Sequence, residues 1–300
     1  MKPITNLKPL VKYQGGKSKE LPIIKQLLPP QFSRVLEPFC GGAAVSFGLG
    51  YPALMSDINR DVINLYSVVA NEKLYPDLQH KVNVIKTLEH DDLQVEFYGA
   101  REAINQPWDC VDPLQRALSY IIVRQLCFSG MERYNAKGEF NVPFGHYKTF
   151  SCNLSPDHHK FLKKECAFRY GSFTALFDQI NADDFIFIDP PYLERLGYTE
   201  GDGGLKLHED LLGCLKTTKG KWMIIHSDHE FYRESYKDFN IIEKDFAYAQ
   251  RFGKDLNKSE APQIDTFIEN GETENSQKKK VKPLKDHSGA KVKHLYITNY

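Results

Sequence analysis

FIFIDPPYLERLGY (185–198) is the stretch from which the rest of the chain can be read. It opens as a short apolar run and stops at an Asp, two prolines and a Tyr. Two prolines remove two backbone N–H donors and keep their carbonyls. The strand end is therefore a rigid surface of acceptors, the Asp189 carboxylate and the Pro190 carbonyl, with Pro191 and the Tyr192 ring beside them. A planar base carrying an exocyclic amine suits such a surface, since the amine donates two hydrogen bonds while the base stacks on Tyr192. The same acceptors have a chemical use. An aryl amine is a weak nucleophile because its lone pair is delocalised. Acceptors aligned on both N–H bonds favour a pyramidal nitrogen that can attack an electrophilic methyl, and they stabilise the charge that develops. Asp-Pro-Pro is also ordinary turn chemistry, so the stretch by itself leaves a plain turn open.

Working outward, RVLEP (34–38), ALMSD (53–57) and WMIIHSD (222–228) are similar short apolar runs that end in acidic or small polar residues. FRYGSF (168–173), NIIEKDF (240–246) and HLYITNY (294–300) extend the series. DVINLYSVVANE (61–72) and LHEDLLGCLKTT (207–218) carry helical patterns between them. Strands alternating with helices predict a doubly wound α/β fold, whose ligands sit beyond the carboxyl ends of the strands. The rhythm breaks over 60–165. There LQRALSYIIVRQLCF (114–128) reads as a helix buried on more than one face, and NAKGEF (135–140) as a turn between two extended arms. This region is read as an inserted, mainly helical domain presenting a β-hairpin, with 1–59 and 166–300 forming the main domain. Residues 250–290 are polar, and KKKVKPLK (278–285) is basic; they read as a mobile surface loop or as a DNA-backbone contact.

RVLEPFCGGAAVSFGLG (34–50) runs from a strand through Glu37 into the pair Gly41–Gly42 and a small-residue helix start. The glycines let a ligand approach the backbone closely, although the full G-x-G-x-x-G is missing. Asp57, at the end of the following strand, suits a ribose diol, with the N-cap of the next helix as the alternative. KYQGGKS (12–18) ends like a phosphate-binding loop, but Val11 stands where that loop needs its first glycine and no strand leads in.

Composition narrows the classes. The 300 residues carry 39 basic and 39 acidic side chains, so the charge does not advertise nucleic acid, though a local basic face remains compatible with it. No run of about 18 apolar residues is present, so no membrane span is expected, and the N-terminus lacks a signal-type apolar run. The six cysteines form no C-x-x-C pair, which predicts reduced thiols in an intracellular protein and no structural metal.

Taken in order, KYQGGK (12–17), EPFCGG (37–42), DIN (57–59), RYNAKGEFNVPFGHY (133–147), DPPY (189–192) and LYITNY (295–300) resemble the Dam-type adenine-N6 DNA methyltransferases, the D12 class, alpha group, including those of phages. DPPY is shared with other amino-methyltransferases; the 133–147 stretch together with the N-terminal GGK is far more specific. The resemblance implies S-adenosylmethionine (SAM) as donor and adenine in double-stranded DNA as acceptor. It implies Asp189, Pro190, Pro191 and Tyr192 as the catalytic tetrapeptide. It implies a cofactor site of Tyr13, Gly15, Gly16, Lys17, Glu37, Pro38, Phe39, Gly41, Gly42, Asp57, Ile58 and Asp189. The hairpin becomes the sequence reader: Phe128 wedges into the base stack, Ser129 contacts the flank, and Met131, Arg133 and Pro143 read bases, with Lys12 and Asn135 also facing DNA. Dam-type proteins more often carry Tyr and Asn where this chain has Phe128 and Ser129. An Arg for guanine and apolar contacts for a thymine methyl point to GATC, and an adenine inside the stack must be flipped out to reach Asp189. Arg133 as a phosphate clamp or as a hairpin salt bridge stays open. So do a catalytically silent DNA-binding relative, an enzyme acting on cytosine N4 or RNA, and a monomer or a weak dimer.

Overall fold

The structure, a computed structural model, describes residues 6–193, 204–247 and 291–300. The polar stretch 250–290, with its basic run, and residues 194–198 of the opening motif lie outside the described residues. Seven strands form one sheet: β1 (Arg34–Glu37), β2 (Ala53–Asp57), β3 (Cys166–Tyr170), β4 (Asp184–Ile188), β5 (Lys221–Ser227), β6 (Asn240–Ala247) and β7 (Lys291–Thr298). The helices are α1 (Leu21–Gln26), α2 (Ala44–Leu49), α3 (Arg60–Ala70), α4 (Tyr75–Ile85), α5 (His90–Asn105), α6 (Pro113–Leu126), α7 (Pro156–Glu165), α8 (Thr174–Phe177), α9 (Leu205–Thr217) and α10 (Glu230–Ser235). The strand order is β3-β2-β1-β4-β5-β7-β6. The first five strands are parallel, whereas β7 runs antiparallel between β5 and β6. All seven expected strands are present, shifted by up to three residues at their ends.

Parallel strands covered on both faces read as unbroken apolar runs, because both side-chain sets are buried. Alternation assigns each set to its face. Val35, Phe185, Phe187, Met223 and Ile225 join Ile24 of α1 and Val45 and Leu49 of α2. Leu36, Ile186, Ile188 and Ile224 join Leu176 of α8, Leu211 and Leu215 of α9 and Tyr232 of α10. The sheet is thus doubly wound. The antiparallel β7 departs from the all-parallel pattern that the sequence suggests. A strand filling a gap between two parallel neighbours from the opposite direction needs no crossover helix.

Helices α3 to α7 share an apolar cluster with Met55 of β2 and with Leu10 and Val11 ahead of the first helix. Every residue from Arg116 to Leu126 of α6 is buried, as the apolar pattern there predicts, and this includes two arginines. The backbones of the arms after α6 pair at the isolated bridges Cys127↔Phe144 and Tyr134↔Phe140. Between them Asn135 builds the turn: its backbone bonds Glu139, its Oδ1 accepts from the Lys137 and Glu139 N–H groups, and Gly138 sits at φ +77°. This is a narrow looped hairpin, without the continuous ladder of a regular one.

Candidate active site

The order of the sheet reverses between β1 and β4, and in open α/β sheets ligands bind at this switch point. Glu37 ends β1, Asp57 ends β2, and Asp189 follows β4 directly, so adjacent parallel strands bring three carboxyls to one edge. Each has a distinct environment. Asp57 Oδ2 accepts from the Gly41 N–H at 2.8 Å and its Oδ1 from the Asn59 N–H at 2.8 Å. Burial, outweighing those bonds, pushes its carboxyl up to about 6. Glu37 turns inward and accepts from the Ser46 N–H in the first turn of α2. Burial, with help from Asp189 and Asp57, pushes it up to about 7 despite that bond. The helix N-cap alternative for Asp57 is excluded: Asn59 caps α3, accepting from the Asp61 and Val62 N–H groups.

Asp189 is raised by burial, against the opposing pull of Lys17. The buried Lys17 ammonium donates to Asp189 Oδ2 at 2.6 Å and to the Gly15 carbonyl at 2.8 Å. It also lies 5.2 Å from the Tyr192 ring centroid. Lys17 begins a short 3-10 turn with no strand before it, so the phosphate-loop reading of KYQGGKS fails: its lysine neutralises a carboxylate. The Tyr192 ring packs 4.6 Å from His226, whose Nε2 accepts from the Leu193 N–H at 3.2 Å. That bond needs a neutral imidazole. Burial and the neighbouring histidines push His226 down to about 3 and keep it neutral. His226 therefore pins the DPPY turn from below.

The glycine pair is a cradle in the steric sense. A Cβ on Gly41, at φ +43°, would stand 2.6 Å from the Tyr13 ring, and one on Gly42 would stand 2.8 Å from Tyr13 Cβ. The N-terminal segment thus closes directly onto the loop after β1. Phe39 leans on Phe173 at 5.2 Å, while Ile58 is 62 % exposed beyond Asp57. An apolar side chain left uncovered next to a carboxylate suits a planar nucleoside. Together the closed glycine loop, the diol-type acceptor and the exposed apolar rim fit the nucleoside-bearing donor that the sequence implies.

The other expected residues gather on the hairpin. Phe128 is 50 % exposed beside Ser129, which takes a left-handed conformation (φ 54°). Met131, Arg133 and Pro143 are also exposed or nearly so. Arg133 is held across the hairpin by Asn141, its Nε donating to Oδ1 at 2.8 Å and its Nη2 to the carbonyl at 3.1 Å. Its partner is a neutral amide, so the hairpin salt bridge is not what the fold supplies, and three guanidinium N–H groups are left over. Asn135 spends its side chain on the turn and on Glu139. The Lys12 ammonium lies over the Tyr147 ring at 3.9 Å and donates to the Gln125 carbonyl at 2.7 Å. Among the described residues no group of three His, Cys, Asp or Glu side chains is arranged to hold a metal, and no helix is long and apolar enough to cross a membrane.

Two residues absent from the expected set stand between these regions. Arg124 of α6 and Glu132 of the hairpin form an ion pair at 3.3 Å, with Arg124 1 % exposed. The only sequence signal for them is an arginine inside an otherwise buried helical run.

A doubly wound sheet whose switch point carries a glycine loop, three carboxyls and an Asp-Pro-Pro-Tyr turn is that of a SAM-dependent, Rossmann-like methyltransferase. Residues 13–250 match the model of the D12 class N6 adenine-specific DNA methyltransferases, and the chain belongs to that family. It is thus an adenine-specific DNA methyltransferase with SAM as its cofactor and DNA as its substrate. It is 32 % identical over 268 residues to the type II methyltransferase M.CviBI of Paramecium bursaria Chlorella virus NC1A, covering 84 % of this chain and 96 % of that one. It is 29 % identical to the DNA adenine methylase of Haemophilus influenzae, covering 79 % and 85 %. Against the DNA N-6-adenine-methyltransferase of Escherichia phage P1 it is 36 % identical, over 64 % of this chain and 25 % of that protein.

Proposed function

We propose that this enzyme methylates the adenine of GATC in duplex DNA, taking the base out of the stack, with residues 60–165 as its target reader. Asp189 and the Pro190 carbonyl accept the two N–H bonds of the amine, Tyr192 stacks on the ring, and Pro191 keeps the turn rigid. Bound SAM supplies an electrophilic methyl on a sulfonium sulfur. The chain's own part is to orient and to stabilise charge. Accepting both amine hydrogens localises the nitrogen lone pair and spreads the positive charge that develops on N6. Asp57 accepts from the ribose hydroxyls, Tyr13 and the Gly15–Gly16 turn close the pocket, and Gly41 and Gly42 allow close approach. Glu37 and Pro38 hold the loop, and Phe39 and Ile58 present apolar surface to the cofactor. Lys17 holds Asp189 in place until the amine arrives.

The observation that carries this reading is the convergence of Asp57, the glycine cradle and the Asp189–Tyr192 edge at one switch point. The base readout rests on the exposed row of Phe128, Ser129, Met131, Arg133 and Pro143, with Lys12 at its foot and Asn135 shaping its tip. An arginine fork against guanine and apolar contacts against a thymine methyl are the pairings that GATC requires. The test is transfer of labelled methyl from SAM to two duplexes identical except for one GATC, with Asp189→Ala as control. Label only in the GATC duplex, recovered as N6-methyladenine, supports the reading. Equal labelling of both duplexes overturns the site assignment, and full activity of Asp189→Ala overturns the catalytic one. Flipping is read from 2-aminopurine at the target, whose fluorescence rises when unstacked; an unchanged signal overturns it.

A further inference from the structure

The guanidinium of Arg124 is buried and holds three partners in two segments of the chain at once. Its Nε donates to the Lys12 carbonyl at 3.0 Å, its Nη1 to the Met131 carbonyl at 3.4 Å, and Nη1 also pairs with Glu132 Oε2 at 3.3 Å. It lies 5.1 Å from the Tyr13 ring centroid, the ring that covers Gly41 and Gly42. Glu132 points the other way as well. Its Oε1 accepts from Tyr134 Oη at 3.1 Å and from Asn59 Nδ2 at 3.4 Å, and the Asn59 N–H bonds Asp57. One hairpin carboxylate thus touches both walls of the nucleoside pocket, the Tyr13 wall through Arg124 and the Asp57 wall through Asn59.

We propose that Arg124 and Glu132 are positioning residues that couple the cofactor pocket to the DNA-reading hairpin, so that each ligand tightens the binding of the other; this rests on the site assignment proposed above. The physical ground is that a planar fork cannot keep three partners if one of them moves. A cofactor that fixes Tyr13 and Asp57 fixes the Lys12 carbonyl and Asn59, and through them Met131 and Glu132. The hairpin, tied internally by isolated bridges, the Arg133–Asn141 bonds and its turn rather than by a continuous ladder, then has less conformational freedom to lose on meeting DNA. Binding that prepays ordering for a second ligand gives positive and reciprocal coupling. Arg124 Nη2 has no hydrogen-bond partner among the described residues.

The experiment titrates S-adenosylhomocysteine, which cannot turn over, with and without a saturating duplex that the wild-type enzyme methylates. DNA is expected to tighten wild-type binding by about 10-fold, within the usual range of allosteric coupling. Glu132→Gln keeps the shape and removes the charge. Arg124→Lys keeps the charge and removes the fork. Each is expected to bring the ratio below about 3-fold, whatever its effect on affinity without DNA. A wild-type ratio of one, or either folded variant with the ratio intact, overturns the proposal. Hydrogen exchange on the wild-type protein gives a readout that needs no variant: amides of 131–141 gain protection when S-adenosylhomocysteine is added, and unchanged protection overturns the coupling. Failure of the site assignment looks different. There, Tyr13→Ala leaves cofactor affinity unchanged, whatever the coupling ratio.

Discussion

The strand-end pocket and the hairpin solve opposite problems with the same chain. In the pocket, polar groups are buried and partnered: Asp57 by two backbone N–H groups, Asp189 by Lys17, Glu37 by the start of α2. On the hairpin, Phe128, Met131 and Tyr134 stand exposed, and the arms are joined by isolated bridges and the Arg133–Asn141 bonds rather than by a continuous ladder. Electrostatic preorganisation needs groups that do not relax, which a packed parallel sheet supplies. Reading a duplex needs side chains that reach out and adapt, which a loop on a rigid base supplies. The difference shows where a substitution should act on chemistry and where it should act on choice of sequence.

The largest effect tests the pocket side. Asp189→Ala should lower single-turnover methyl transfer by about 10²–10³-fold or more while DNA affinity, measured by fluorescence anisotropy, stays unchanged. It should also lower stability, because Lys17 is 3 % exposed and loses its partner; stranding a buried charge costs about 3–5 kcal/mol. Asp189→Ala with Lys17→Met should recover the melting temperature and leave activity lost. Recovery of activity in that pair would break the assignment of Asp189.

Next comes a pair of glycines that set the two regions directly against each other. Gly41→Ala places a methyl against the Tyr13 ring at φ +43°, whereas Gly138→Ala, at φ +77°, meets nothing within 4 Å. The left-handed strain of about 1–2 kcal/mol is common to both. Only the first adds an overpacking cost of about 1–3 kcal/mol, and only the first should weaken cofactor binding in calorimetry. Equal losses of cofactor affinity would erase the distinction.

Arg133→Ala belongs to the hairpin side. It should relax the preference at one base pair by about 1–3 kcal/mol, seen in competition between substituted duplexes, with a smaller change in overall affinity. A uniform loss across sequences would make Arg133 a phosphate clamp.

The smallest effect is a pH dependence confined to the pocket. Asp57 accepts from a ligand best as a carboxylate, and its carboxyl is raised to about 6 from 3.8. Cofactor affinity should therefore fall as pH drops below that value, by at most tenfold per pH unit. The stability of the free protein moves the other way. A folded pKa above the unfolded one gives stability that is full below 3.8 and lost as pH rises through about 6. Titrations of cofactor binding and thermal melts over pH 4–7 should show the two trends crossing. A flat binding curve would remove Asp57 from the cofactor site.

How much was legible beforehand depended on the range of the interactions. Ala53–Asp57 and Asp184–Ile188 are wholly buried, so their unbroken apolar runs declared them strands. The family resemblance rested on KYQGGK, DPPY and the RYN…FGHY stretch. What sequence reading missed depends on contacts far apart along the chain. Lys17 meets Asp189 across 172 positions, and Arg124 meets Lys12 across 112. No local pattern encodes such pairs. The antiparallel β7 was equally hidden, because a buried strand has the same composition in either direction.

By itself, then, the sequence determined the strand-and-helix alternation, the acceptor edge at Asp189–Tyr192 and the hairpin tip, each set by residues adjacent in the chain. The tertiary structure alone decided that the GGK lysine pairs with Asp189, that Asn59 rather than Asp57 caps α3, and that Arg124 joins the N-terminal segment to the hairpin. These outcomes turn on which buried charges find partners, and partners are chosen by packing, after the local elements have formed.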